Sequence, residues 1–343
     1  METNKGVIND EVFSLQEKVD WSLFENKTIL ITGCNGLIGG YLLNFFHKLS
    51  DRLNLNIICT SFSSSLSESR FDKSLIDCAH YFSWDASTPI DKDIIRAVDY
   101  VYYCSGYAQP AKFIKDPIKT SLINTVGVHS ILSGLADDAT FTYMSSSEIY
   151  GDPDIQNIPT KESYNGNYNV SSNRACYIIS KRLGEALCLS ESERLKIKIC
   201  RISLTYGPGT EYNDERVIQQ FIRKAKEQKE INLLDDGSAV RTFCYISDSV
   251  EMILNISLKG KQLIYNVASN KNSITILELA QMIAEFLYAK ISVKKTNDDL
   301  ISKNSPVIVL MDIDRYLKEF GKNDFVDNKS GLLNIMKFYK LLA

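Results

Sequence analysis

The run Thr28-Ile-Leu-Ile-Thr32 passes directly into Gly33-Cys34-Asn35-Gly36-Leu37-Ile38-Gly39, and an amphipathic stretch over residues 40–49 follows. A short apolar run of this kind is what a buried parallel strand shows, and the stretch behind it has helical spacing. Strand, glycine turn and helix in that order constrain the fold more than any other feature of the chain. The small residues of G-x-x-G-x-x-G let the backbone approach a pyrophosphate, and the free N–H groups of the helix favour its negative charge. A glycine triplet alone is compatible with a plain tight turn. Between a strand and a helix, at the head of an alternating pattern, it points to a dinucleotide site made by Gly33, Asn35, Gly36, Leu37, Ile38 and Gly39.

The alternation continues, with strands expected at 56–60, 81–84, 98–104, 140–145 and 198–204. The class is therefore α/β, a Rossmann-like doubly wound parallel sheet with a smaller C-terminal substrate-binding domain. The second strand ends in Thr60-Ser61-Phe62-Ser63-Ser64-Ser65 where an acid would hold the 2'-hydroxyl of an adenosine ribose. Hydroxyls bond either a ribose or a phosphate, and Arg70 is the nearest cation, so NAD is favoured and NADP stays open. Asp85 and Ala86, at the tip of the third strand, suit either an adenine amino group or the cap of a turn. Ser105 and Gly106 are small enough to let a cofactor pass the fourth strand, and Asn124 lies within a helix expected over 116–135, where its side chain interrupts the helix or holds a water.

With 343 residues, 44% of them hydrophobic, the chain can bury one large core or two unequal ones. The expected division is a helical extension over 1–27, a dinucleotide-binding domain over 28–204 and a mainly substrate-binding domain over 205–343, from which about 240–268 return to the first. Residues 1–27 carry a helical period in Val12, Leu15 and Val19, followed by Trp21 and Phe24. A net charge of −3 with basic residues scattered among acids argues against a nucleic-acid partner. No apolar run approaches the roughly 20 residues of a membrane span, so no membrane partner and a cytoplasmic location are expected. The eight cysteines show no C-x-x-C pair and the chain has three histidines, so no metal site is expected and the thiols read as reduced core residues.

The chemistry centres on Tyr177-Ile-Ile-Ser-Lys181, in a helix expected over 174–190. Four residues is about one helical turn, which sets phenol and ammonium on one face. A tyrosine near its ordinary pKa of about 10 is a poor base, but a fixed cation beside it lowers that value and lets it take a proton from an alcohol. By itself the pair suits a solvated helix face better than chemistry. Ser146, Ser147 and Glu148 stand at the carboxyl end of the fifth strand, where an open α/β sheet faces its ligand, and this turns the pair into a candidate partner in catalysis.

Residues 32–39, Ser146, Tyr177 and Lys181 together resemble the extended short-chain dehydrogenase/reductase family of NAD-dependent nucleotide-sugar epimerases and dehydratases. Within it the chain is most similar to UDP-glucuronate decarboxylases, through Asp116-Pro-Ile-Lys-Thr120, Ser147-Glu-Ile-Tyr-Gly-Asp-Pro153, Arg174-Ala-Cys-Tyr177, Asn213-Asp214 with Arg216-Val217, and Arg241-x-Phe-x-Tyr-x-x-Asp248. The resemblance implies that Tyr177 is the base, Ser146 its hydroxyl partner, and Lys181 both a ribose ligand and the group that depresses the phenol's pKa. It implies further that Ser147 and Glu148 flank C5 and C6 of the sugar and that Arg174, Arg216, Val217 and Arg241 contact the nucleotide sugar. A homodimer through the helices near 116–135 and 174–190 is implied as well.

The implied reaction is oxidation at C4 by NAD, loss of carbon dioxide from the β-keto acid, and re-reduction. Dehydratase relatives carry an Asp where this chain has Ser147, and expelling water needs such a proton donor. The family's Asn-Thr-Tyr-Gly-Pro-Arg is here Leu204-Thr-Tyr-Gly-Pro-Gly209, which removes a polar contact and a cation from the phosphate side. Two other functions remain open at this level: a 4-epimerase or 4-reductase on another nucleotide sugar, and a non-catalytic sensor of NAD(H) or of a nucleotide sugar.

Overall fold

The computed structural model describes residues 2–293 and 307–342, apart from the side chain of Cys78. The TILIT run forms β1 (Thr28–Thr32), and its side chains alternate between two apolar layers. Ile29 and Ile31 join one cluster with Phe45, Phe46 and Tyr102, while Leu30 joins the other with Val101, Phe141 and Val128. A strand buried on both faces needs this uninterrupted apolar run.

Four further strands along the first half are β2 (Asn56–Ser61), β3 (His80–Ser83), β4 (Tyr100–Tyr103) and β5 (Thr140–Ser146). With β6 (Lys196–Ile202) and a last strand Ile264–Val267 they make a seven-stranded parallel sheet. From one edge the order is Ile264–Val267, β6, β5, β4, β1, β2, β3. The chain winds outward from β1 through β2 to β3, then returns to β4 on the other side of β1 and winds the opposite way. That reversal opens a crevice beyond the carboxyl ends of β1 and β4.

The N-terminal extension forms α1 (Gly6–Lys18), whose Ile8, Val12 and Leu15 are buried against α2 (Leu37–Leu53) and the helix Ile246–Lys259. The Glu11 carboxylate fixes it by accepting hydrogen bonds from the Tyr41 hydroxyl (2.9 Å), the Tyr245 hydroxyl and Asn334 Nδ2 (3.3 Å). Burial among these groups pushes Glu11 up to about 7. Phe24 ends the extension between the rings of Phe46 and Tyr100, with centroids at 4.9 and 5.0 Å.

The second half builds a small sheet from Leu204–Tyr206, Val240–Tyr245, Ser273–Thr275 and Ile308–Val309, and a two-stranded one from Glu230–Leu233 and Lys290–Val293. Its buried Ile231, Leu233, Ile274, Leu279 and Ile283 belong to the same apolar cluster as Ile29 and Phe46, so the two halves share a core. The return to the first domain is narrower than the sequence suggests. Val240–Tyr245 stays in the small sheet beside Leu204–Tyr206, with Tyr206 packed on Phe243 and Tyr245, and the return begins at helix Ile246–Lys259.

The helix expected over 116–135 is divided into Pro117–Leu122, a π-helical turn Ile123–Gly127 and Val128–Leu132. Asn124 drives the division: its Nδ2 donates to Thr120 O (3.0 Å) and to Ser180 Oγ (3.1 Å). Gly127 is required there, because a Cβ would lie 2.2 Å from Ala86 O and 2.4 Å from the Tyr103 hydroxyl. Cys34, Cys59, Cys188, Cys200 and Cys244 are buried free thiols, but Cys176 is exposed on its helix. Among the described residues no helix is long and apolar enough to cross a membrane.

The Phe24→Ala protein will lose ~3–5 kcal/mol of unfolding free energy in a denaturant titration, since a fully enclosed ring leaves a cavity behind. Phe13→Ala on the same extension, at 67% exposure, will change it by less than ~0.5 kcal/mol.

Candidate active site

The crevice at the switch point is lined from β1 by the glycine turn. Gly33 has φ +63°, and a Cβ there would lie 2.7 Å from Cys104 O, so the ends of β1 and β4 meet only through glycine. A Cβ on Gly39 would lie 2.5 Å from Gly33 O, so the first turn of α2 presses on the loop that precedes it. Gly36 caps α2 without a side-chain hydrogen bond, which leaves the amides of Leu37 and Ile38 to point toward a ligand. A cradle of backbone N–H groups too narrow for any Cβ fits a dinucleotide pyrophosphate. Cys104 and Ser105 close the other wall by donating their amides to Thr32 Oγ1 (3.1 and 3.2 Å).

Two residues assigned to the cofactor have their side chains engaged elsewhere. Asn35 Nδ2 donates to Ser61 Oγ and Ser65 O (2.9 Å each), and its Oδ1 accepts from the Ser67 amide (3.0 Å). Its side chain thus braces the serine-rich loop after β2, and what it offers a ligand is backbone. Asp85 takes the turn-capping role, with Oδ1 accepting from the Ser87 amide (3.0 Å) and hydroxyl (2.7 Å), while Oδ2 pairs with Lys119 Nζ at 2.8 Å. Ala86 is buried beneath Gly127. Arg70 is 8% exposed and turns to Glu211 (3.7 Å) beside Gly209 and Leu37; its Nε and Nη1 have no hydrogen-bond partner among the described residues.

The opposite wall is the helix Ala175–Ser190, which buries Tyr177, Ser180 and Lys181 on one side. Lys181 Nζ donates to Met144 O at 2.6 Å, lies 4.8 Å from the Tyr143 ring centroid, and stands 3.7 Å from where a Gly106 Cβ would be. Asn124 Oδ1 is 4.0 Å from that same point. Lys181, Asn124 and Gly106 are thus brought together at the mouth of the crevice.

The Tyr177 hydroxyl stands near Ser146, the last residue of β5. Its ring stacks on Phe113, with centroids 4.4 Å apart and planes 9° apart. Burial pushes Tyr177 up to about 12, with Ser146, Arg174 and Arg216 pulling the other way. Burial also lowers Lys181 to about 8. The expectation that Lys181 makes the phenol acidic is therefore corrected for the protein alone: the ammonium is turned to the Met144 carbonyl and is itself destabilised by burial.

Beyond Tyr177 lies a cavity of about 280 Å³, lined by Ser147, Glu148, Tyr150, Thr160, Arg174 and Met311 among others. Arg174 grips Glu148 through Nε (3.0 Å) and Nη2, and its guanidinium also lies over Phe113 at 5.3 Å. Its Nη1 is buried without a partner among the described residues. Arg241 Nη1 donates to Val240 O (2.9 Å) and Val307 O (3.0 Å); burial lowers its pKa, and it feels the charges of Glu148, Arg174 and Asp235. Arg216 is spent on Asp214, through Nε (3.0 Å) and Nη2 (2.9 Å), and Gln109 Nε2 holds the same carboxylate at 2.8 Å. Val217, half-buried, is the first residue of helix Val217–Gln228.

Phe113 and Gln109 are residues at the site that the sequence reading did not find, and Asp214 was noted there only as part of a motif. Phe113 and its helix Pro110–Lys115 had a signal in Pro110, at the first helical position. The contacts of Gln109 with Asp214 and of Phe113 with Tyr177 span 105 and 64 residues of sequence, and nothing local announces them.

Comparison with known proteins gives a consistent picture. Residues 29–268 match the NAD dependent epimerase/dehydratase family. A UDP-glucuronic acid decarboxylase 1 of Danio rerio is 30% identical over 274 residues, covering 78% of this chain; the chain spans 62% of that relative's length. UDP-glucuronic acid decarboxylase 6 of Arabidopsis thaliana is 30% identical over 285 residues, 80% of this chain and 79% of the relative. Among solved structures, MoeE5 in complex with UDP-glucuronic acid and NAD superposes with a TM-score of 0.74 at 16% identity, over 92% of this chain and 99% of that one.

Replacement of Tyr177 by Phe removes the hydroxyl that stands near Ser146 and leaves the stack on Phe113. The variant will keep the wild-type melting temperature within about 2 °C and lose ~10²–10⁴-fold in turnover, measured by scanning calorimetry and by steady-state kinetics.

Proposed function

Because the chain belongs to the NAD-dependent epimerase/dehydratase family and modifies nucleotide sugars with bound NAD, we propose that its reaction is the decarboxylation of a nucleotide-linked uronic acid through a 4-keto intermediate. The observation that carries this reading is the charge around Glu148. Arg174 and Arg241 both lie within electrostatic reach of that one half-buried carboxylate, and Arg174 keeps an unpartnered Nη1. Asp235, also in reach of Arg241, is exposed and accepts from the Gly237 amide. A guanidinium in the wall of a cavity of hexose size, with a second in electrostatic reach of it, asks for an anionic group on the sugar, and a bidentate fork suits a carboxylate.

The residues divide the work as follows. Tyr177 Oη takes the proton of the sugar's 4-hydroxyl, and Ser146 Oγ holds that oxygen. Lys181 Nζ and Asn124 stand where ribose hydroxyls of the cofactor would be gripped, and the backbone of Gly33, Gly36, Leu37 and Ile38 would hold its pyrophosphate. When bound, NAD supplies the hydride acceptor and later the donor, and its cationic ring favours the phenolate of Tyr177. Once C4 is a carbonyl, it takes up the electron pair that the departing carboxylate leaves behind. Both Glu148 oxygens accept from Arg174, and its neighbour is Ser147 where the dehydratase relatives carry an Asp to hand a proton to a leaving hydroxyl, which disfavours dehydration.

We propose further that the protein works as a homodimer. Helices Pro117–Leu122 and Ala175–Ser190 pack together and leave Ile118, Leu122, Ile179 and Leu183 exposed, at i and i+4 on each helix. A second copy of the same face would cover them.

Incubation with UDP-glucuronate and NAD will release carbon dioxide and a UDP-pentose in equal amounts, followed by headspace and nucleotide-sugar chromatography. A UDP-hexuronate epimer without carbon dioxide would instead identify a 4-epimerase. In sedimentation velocity the wild type will run at twice the monomer mass, and Leu183→Lys will shift it toward the monomer.

A further inference from the structure

Four residues beyond Lys181, on the same face of its helix, Glu185 is 6% exposed. A carboxylate so deep is costly unless it is paired. Its partner is Arg201 near the end of β6, 7% exposed, which donates from Nε to Oε1 (3.0 Å) and from Nη2 to Oε2 (2.8 Å). Glu185 Oε1 also accepts from the Ser145 hydroxyl at 2.5 Å, and Ser145 immediately precedes Ser146.

Arg201 continues outward. Its Nη1 donates to the Tyr150 hydroxyl (3.0 Å) and to Glu162 O (2.8 Å), and the Tyr150 hydroxyl donates to Asn266 Oδ1 (2.7 Å). Asn266 Nδ2 then donates to Thr160 O and Asp312 O (2.9 and 2.8 Å). Tyr150 and Thr160 line the 280 Å³ cavity. An unbroken buried network thus runs from Glu185, one helical turn beyond Lys181, to the wall of the sugar cavity.

For stability alone, two well-packed apolar side chains would serve as well as a buried ion pair. We propose that Glu185 and Arg201 are positioning residues for the reaction: the carboxylate keeps the Lys181 ammonium charged in its buried seat, and Arg201 fixes that carboxylate, Ser145 and the cavity wall in one register. This rests on the cofactor-binding role given to Lys181 above. The groups facing Lys181 are Cys104 beyond β4, the Tyr143 ring and Met144 carbonyl on β5, Gly106, and Glu185 and Cys188 on its own helix. Glu185 is the carboxylate among them. Burial drives the ammonium toward its neutral form, and Cys104 and then Glu185 oppose that; burial pushes the Cys104 thiol up to about 12, so at neutral pH it carries no charge to do so.

The test is NAD affinity, by calorimetric titration, as a function of pH. A lysine that binds as the cation loses its grip as pH rises through its pKa, so wild-type affinity falls near pH 8. Removing the carboxylate lowers that pKa, so in Glu185→Gln the midpoint will move down by roughly one pH unit. Since Arg201 is then buried without its partner, the double variant Glu185→Gln, Arg201→Met is measured alongside; it leaves no unpaired charge and will show a smaller downward shift, because the guanidinium's repulsion goes with the carboxylate's attraction. Glu185→Asp, which keeps the charge, will restore most of the wild-type midpoint. A folded variant without the carboxylate, single or double, that retains the wild-type midpoint overturns the proposal and makes the pair a purely structural one. Failure of the wild type to bind NAD at any pH would sink the cofactor role of Lys181 itself, a different result.

Discussion

The site depends on a buried ammonium. Lys181 donates to the Met144 carbonyl near the end of β5, and this hydrogen bond, with the one from Ser145 to Glu185, joins the helix of Tyr177 to the strand of Ser146. A charge in that place is tolerated because a carbonyl, an aromatic face and a carboxylate surround it. With the helix so docked, the Tyr177 hydroxyl meets Ser146, and Asn124 reaches Ser180 from the π-helical turn. The glycines of the β1 turn complete the arrangement by bringing β1, β4 and α2 close enough to leave room for a cofactor between them and Lys181.

The electrostatics of the two halves of the crevice differ in kind. Along the dinucleotide side the favourable field comes from backbone, the uncapped first turn of α2, and no ionised side chain is needed to attract phosphate. On the sugar side the field comes from guanidiniums, with Arg174 held by Glu148 and Arg241 held by two carbonyls. Arg216, which the sequence suggested for the same side, is neutralised by Asp214. The division fits a dinucleotide that brings its pyrophosphate to one side and, in the proposed reaction, a sugar that brings a carboxylate to the other. Tyr177, with burial raising its pKa, stands between them as a neutral phenol until a cation comes beside it.

How far the site could be read in advance varies by residue. Gly33, Gly36 and Gly39 were legible because a strand, a tight turn and a helix impose a local pattern, and the structure gives a steric reason for the first and the last. Ser146, Tyr177 and Lys181 were legible as types of residue at strand and helix positions, and their convergence follows from the rule that parallel strands end at the crevice. The side-chain roles of Asn35 and Asp85 were not decidable from the sequence, for one shared reason. Short polar side chains next to turns bond the nearest backbone, and whether they do so or reach a ligand is decided by the loop packed over them. Arg70 shows the same limit for a long side chain, since only the chain path placed it against Gly209 and Glu211.

The sequence by itself determined the alternation of strands and helices, the glycine turn and the buried helix face of Tyr177, because each of these is a local preference repeated at a fixed period. Tertiary structure alone decided which distant side chains meet: Phe113 on Tyr177, Gln109 on Asp214, Arg174 on Glu148, Arg201 on Glu185. It also decided that the extension α1 is held by Tyr41, Tyr245 and Asn334, from three separate parts of the chain. The physical reason is common to all of these. Burying a charge or a ring is favourable only when a partner arrives at the same place, and the partner's position is set by the winding of the sheet rather than by its neighbours in sequence.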